Sequence, residues 1–159
     1  RMLRALSSIG VFAMQADGRY RSTPLSATLE SDVPGTLRYT VMSELGLSHY
    51  QAWEFFPHSI ATGEMAFLKR FGKEIWEYYH EHPEHAAPFN RSMTAFSEAV
   101  IASVIAAFDF TRFRKIVDVG GGQGALLAAI LSASPNARGV LFDAPEVLAG
   151  ASCIAPVAE

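Results

Sequence analysis

The eight residues Val117-Asp118-Val119-Gly120-Gly121-Gly122-Gln123-Gly124 constrain this chain more than any others in it. They complete a short apolar run, Lys115–Val119, that reads as a buried strand. Ala125–Ser134 then reads as a helix ended before Pro135, and Gly139–Phe142 as a second strand. Strand, glycine turn, helix and strand in that order open a doubly wound α/β fold, which here breaks off after two strands. Glycines at a strand-to-helix turn let the backbone take angles that other residues avoid and come close to a ligand.

Two ligand classes compete for such a turn. Gly120, Gly122 and Ala125 satisfy the relaxed G-x-G-x-x-G/A dinucleotide fingerprint, a weak signal by itself. Gly120, Gly122 and Gly124, with Asp118 two residues upstream, satisfy the glycine motif of S-adenosylmethionine (SAM) methyltransferases. Asp118 decides between them. A carboxylate in an otherwise apolar strand is costly unless something pairs with it. A pyrophosphate would be repelled by it, whereas the amino group and sulfonium of SAM would be attracted. Asp143, at the end of the second strand, stands where an acid grips a ribose diol, which suits both cofactors. The bland alternative is a merely tight turn with Asp118 capping the loop.

The rest of the chain is mostly helical by period. Leu3, Leu6 and Ile9 form a stripe closed by Gly10; Val11–Met14 and Arg19–Ser22 flank Asp17-Gly18 as a hairpin; Thr23-Pro24 caps and starts Leu25–Leu29. Leu37, Val41 and Leu45 form the next stripe, and Trp53, Phe56 and Ile60 another, stopped by Gly63. Glu74–His82 follows. A long helix after Pro83 aligns Phe89, Met93, Phe96, Val100, Val104 and Phe108, with Pro88 expected to loosen its first turns. The fold class is therefore mainly α followed by α/β, divided at 1–108 and 109–159. Trp53, Phe55, Phe56, Trp76, Tyr78 and Tyr79 are expected in a helix-bundle core.

Composition narrows the function classes. Half the residues are apolar and 18% charged, enough for a packed core. Thirteen basic against sixteen acidic residues leave a net charge of −3, which argues against a nucleic-acid or anionic-membrane binder. The start of the chain, read as a winged helix, could serve a DNA-binding regulator. Residues 1–40 hold only five basic residues against three acidic ones, however, and Leu3, Leu6 and Ile9 stand where a reading helix would be polar. The longest apolar stretches, Ala99–Phe108 and Gly124–Leu131, fall short of the about 18–20 residues of a membrane span. No signal peptide is evident, and Cys153 alone supports no disulfide and no assigned chemistry. The expectation is a soluble cytoplasmic protein. His80, His82 and His85 cluster at a helix break without the i, i+4 spacing of a helical zinc site, so no metal is assigned.

The stretch 117–124, then Pro135, Gly139 and Phe142-Asp143-Ala144-Pro145-Glu146-Val147, resembles the SAM-dependent O-methyltransferases of plant phenolic and bacterial secondary metabolism, of caffeate, hydroxyneurosporene and polyketide-tailoring type. Leu3–Phe12 with Tyr20–Leu25 is similar to part of that family's winged-helix dimerisation region. Phe89-Asn90-Arg91-Ser92-Met93 with Phe96-Ser97 is similar to its acceptor-lining helix, and Asp109-Phe110 with Phe113 to its linker. The resemblance implies a winged-helix remnant and helical bundle leading into the first β-α-β of a Rossmann-like domain. It also implies a homodimer, SAM as cofactor and a small aromatic acceptor. Gly120 and Asp143 match the family's SAM contacts, with Asp143 on the ribose, and Met93 and Phe96 match positions facing the acceptor; Asp118 and Gly122 join the cofactor side by the turn chemistry above. The family's general-base histidine has no counterpart here, so no catalytic residue is nominated. The chain reads as a truncated methyltransferase whose 159 residues alone are expected not to turn over. The alternatives are an NAD(P)-binding α/β protein and the winged-helix regulator.

Overall fold

Helix starts and stops in this chain follow from a few capping residues. The structure, a computed structural model, describes residues 1–31, 33 and 35–151; Cys153 lies outside them. These residues form two compact units, divided after Arg38.

In the first unit, α1 (Met2–Ser8) leads into an antiparallel hairpin, β1 (Phe12–Met14) with β2 (Tyr20–Ser22), in which Phe12 faces Ser22 and Met14 faces Tyr20. The Asp17 side chain accepts from the Arg19 N–H at 3.0 Å and Gly18 takes a positive φ, the turn chemistry that Asp-Gly predicts. Thr23 and Ser26 then cap α2 (Pro24–Ala27) reciprocally, each side chain accepting from the other's N–H. Ile9 of the expected stripe remains 68% exposed.

The second unit is mainly helical: α3 (Arg38–Glu44), α4 (Leu47–Trp53), α5 (Phe56–Thr62), α6 (Ala66–Phe71), α7 (Ile75–Glu81) and α8 (Pro83–Ala107). The Trp53–Ile60 stripe is split between two helices. Pro57 lacks the N–H that a continuous helix would need, so the chain restarts at Phe56. Gly63 and Gly72, both left-handed, end α5 and α6; the latter was not foreseen. By contrast α8 runs unbroken through Pro88, which deprives only the Glu84 carbonyl of its helical donor.

Of the six aromatic residues expected in the core, only Tyr78 and Tyr79 are buried. The seven-residue α7 turns Tyr78 toward Phe67 and Phe71 of α6, and Tyr79 toward Phe89 of α8. Trp53, Phe56 and Trp76 stay exposed because helices of two turns have too little face to cover every ring.

A 3₁₀ turn, Phe110–Arg112, capped by Asp109, leads to β3 (Lys115–Val119), α9 (Ala125–Ala133), β4 (Arg138–Phe142) and α10 (Pro145–Leu148). The strands are parallel, with Ile116 beside Gly139 and Asp118 beside Leu141. Helix α9 covers this face; a Cβ on Gly139 would stand 2.6 Å from Leu131 Cδ1 and 3.1 Å from Leu127 Cδ2. The opposite face is open, with Val117 52%, Val119 73% and Phe142 64% exposed. β3 is therefore not the buried strand its composition suggests. A parallel pair needs cover on both faces, and among the described residues it has cover on one. No helix among them is long and apolar enough to cross a membrane.

Leu127 is fully buried between α9 and the sheet. Leu127→Ala should lower unfolding free energy by about 3 kcal/mol. Urea denaturation followed by circular dichroism measures this, and a loss below about 1 kcal/mol would mean that α9 is not the anchor of the sheet.

Candidate functional site

The glycine turn begins as an extension of the sheet: the Gly120 N–H donates to the Phe142 carbonyl at 2.8 Å. Gly120, Gly122 and Gly124 all take positive φ, at 69°, 60° and 82°, a backbone path that side-chain-bearing residues resist. Gly121 is required for another reason. A Cβ there would fall 2.6 Å from Asp118 Oδ2 and 2.5 Å from Leu141 Cδ1, so the Asp118 carboxyl lies against the turn itself.

Asp143 closes the turn from the end of β4. Its Oδ2 accepts from the Gly122 N–H and its Oδ1 from the Ala144 N–H, both at 2.7 Å. One carboxylate thus joins the glycine turn to the start of α10. Asp118 has no such partner among the described residues. Burial above all, with the Asp143 charge adding to it, pushes its carboxyl above the usual aspartate range. Two carboxylates facing one turn, one of them unpaired, make a place that favours a cation.

The turn floors a cavity of about 660 Å³. Asp118, Gly120, Gly122 and Asp143 all line it, as do Met93 and Phe96 of α8, so the structure brings the six residues singled out in the sequence to one cavity. It adds Trp76, Tyr79 and His80 from α7, Phe89 and Asn90 from α8, and Gln123. Phe89 was within reach of the pattern, since it stands one turn before Met93 on the same stripe. Trp76 and Tyr79 were not, because apolar period alone does not separate a core ring from a cavity wall. Gln123 Oε1 accepts from Thr94 Oγ1 at 3.5 Å, a long bond joining α8 to the turn.

Of the five histidines only His80 lines the cavity, and all five have partners. His80 at the rim stands 3.6 Å from Glu146, His58 pairs with Glu64, and His82 with Glu84; His85 bonds Tyr78 and His49 bonds Tyr79. No three potential metal ligands stand together among the described residues.

Residues 53–158 match the model of the O-methyltransferase domain. The chain belongs to that family. It is 41% identical over 147 residues to phenazine O-methyltransferase PhzM of Lysobacter antibioticus, covering 92% of this chain and 43% of that protein. Among solved structures, mitomycin 7-O-methyltransferase superposes with a TM-score of 0.89 at 37% identity, over 96% of this chain and 45% of that one. An O-methyltransferase of neocarzinostatin biosynthesis, solved with SAM and 2-hydroxy-5-methyl naphthoic acid, gives 0.81 at 30%, over 96% and 47%. The chain thus spans less than half the length of these relatives. Within the family match lie the glycine turn, both carboxylates and the cavity walls.

Because the folded pKa of Asp118 is raised, its ionisation disfavours the ligand-free fold. The associated stability is complete below 3.8 and is lost as pH rises through the folded value. Asp118→Asn should therefore raise the melting temperature of the ligand-free chain at pH 7, with the gain shrinking as pH falls toward 3.8. Scanning calorimetry across pH tests this; an equal gain at every pH would place its origin in packing rather than charge.

Proposed function

We propose that this chain carries the cofactor and acceptor walls of a SAM-dependent O-methyltransferase acting on a hydroxyl of a small aromatic or polyketide-type secondary metabolite. The observation that carries this reading is the pair Asp118 and Asp143 facing a glycine turn on an aromatic-walled cavity. SAM fits that donor set. Its sulfonium and amino group are cations, and the Asp118 carboxylate, which holds no hydrogen-bond donor among the described residues, suits one of them. A pyrophosphate would meet two carboxylates, which sets the NAD(P) reading aside; the chain's charge and family set aside the DNA regulator.

Asp143 takes the ribose diol in this reading. Each of its oxygens holds one backbone N–H and keeps a lone pair for a hydroxyl. Gly120 and Gly122 bring bare backbone to the cofactor, a Cβ on either meeting nothing within 4 Å. SAM, when bound, supplies the electrophilic methyl group. Met93 and Phe96 hold the flat face of the acceptor and exclude water, so that rate comes from placing the acceptor oxygen in line rather than from covalent help. The naphthoic acid held by the neocarzinostatin enzyme supports an aromatic acceptor of this size.

At the level of architecture, residues 1–108 form the winged-helix and helical dimerisation and acceptor-lining region, and residue 109 opens the Rossmann-like cofactor domain. Ile9 and Met2, 68% and 74% exposed in the first unit, support a second copy of the chain as the homodimer partner.

Isothermal titration should show S-adenosylhomocysteine binding and NAD not. Asp143→Ala should weaken the former by on the order of 1–3 kcal/mol. Tighter binding of NAD would overturn the cofactor assignment. Sedimentation at high micromolar concentration should give a dimer or larger species, and a lone monomer peak would remove the dimer from the reading.

A further inference from the structure

His49 on α4 and Tyr79 on α7 are thirty residues apart, yet His49 Nε2 and the Tyr79 hydroxyl meet at 2.9 Å. The two rings stack at 6.4 Å and 22°, and Phe67 presents an edge to the imidazole. On the far side of that ring, Glu44 Oε2 stands 3.6 Å from Nδ1. A carboxylate there favours a proton on Nδ1, which leaves Nε2 bare to accept the Tyr79 O–H. Tyr79 is suited to donate: burial, opposed by the neighbouring Ser43 hydroxyl and helped by the Glu44 charge, pushes its phenol up to about 12.

Tyr79 does not end this chain of contacts. Its ring packs against Phe89 at 5.2 Å and against Trp76 at 6.2 Å, and Trp76 meets Phe89 edge-on at 5.7 Å. All three rings line the large cavity, and neither His49 nor Glu44 does. Free of His49, the Tyr79 hydroxyl would keep only the neighbouring, otherwise unpartnered Ser43 hydroxyl in a buried place, and the ring would turn toward it. The wall would move with it.

We infer that Glu44, His49 and Tyr79 form a positioning chain that fixes the Trp76–Tyr79–Phe89 wall and thereby sets affinity for a planar aromatic acceptor, without acting on the cofactor side. This rests on the cavity being the methyltransferase site. His49 is a positioning residue, acting through Tyr79 rather than on any ligand.

The experiment uses 2-naphthol and S-adenosylhomocysteine as separate probes of the full chain. In a Trp53→Phe background the remaining tryptophan, Trp76, reports naphthol binding through its emission; calorimetry reports S-adenosylhomocysteine. His49→Leu and the isosteric Tyr79→Phe should each weaken 2-naphthol about tenfold and leave S-adenosylhomocysteine within about twofold. His49→Gln, whose amide reaches the same hydroxyl, should keep wild-type naphthol affinity. Unchanged naphthol affinity in both His49→Leu and Tyr79→Phe overturns the inference. So does a parallel loss of both probes in a folded variant, which would mark a general packing role. Wild-type chain that binds 2-naphthol but not S-adenosylhomocysteine overturns the cofactor reading alone, and the naphthol series still decides the wall. Wild-type chain that binds neither overturns both.

Discussion

The cavity depends on the carboxylate of Asp143. Its two oxygens accept from Gly122 and Ala144, so a single side chain holds the apex of the glycine turn to the start of α10. Charged acceptors make the stronger hydrogen bonds, and here both run to backbone that no side chain could replace. The left-handed angles of Gly120, Gly122 and Gly124 are intrinsically open to many alternatives, since glycine has the most conformational freedom to lose. Asp143 removes those alternatives at Gly122, and the ladder bond from Gly120 to Phe142 removes them at the other end. The floor of the site is thus a property of the β3–β4 pair and one acid.

Much of the fold was legible in the sequence wherever an element has a local cause. The strand at Lys115–Val119 has the bounds its apolar run indicates, and Asp17-Gly18 and Thr23-Pro24 start their elements through bonds made within a few residues. What was not legible depends on neighbours. Whether Val117 is buried is decided by what covers the second face of the sheet, not by Val117. Trp76 and Tyr79 sit three residues apart on one short helix, yet one is a cavity wall in the open and the other is buried. Gly121 was read as one glycine among four, but it is the position where Asp118 leaves no room for a Cβ. That constraint arises between a strand and its own turn, and spacing does not carry it.

The two carboxylates play unequal parts, and the inequality carries the electrostatics of the site. Asp143 directs its oxygens to backbone donors, while Asp118 has none among the described residues and burial disfavours its charged form. A fold retains such a group when a ligand offsets the cost, so the unpaired acid carries more information about the ligand than the paired one. Desolvation is the larger of the two causes that raise Asp118, and a cation placed beside it would act against both.

The cavity's other half obeys a different rule. Where the turn is built from backbone and charge, the wall of Trp76, Tyr79 and Phe89 is built from ring faces and edges, whose mutual preferences fix angles but not absolute position. A wall of this kind needs one polar anchor to choose among packings of similar energy, and the Tyr79 hydroxyl on His49 is the anchor available. The polar half therefore selects by charge and the aromatic half by shape. A ligand with a cationic centre and a flat partner beside it satisfies both, whereas an anion beside the turn fails the first and an aliphatic group against the rings fails the second.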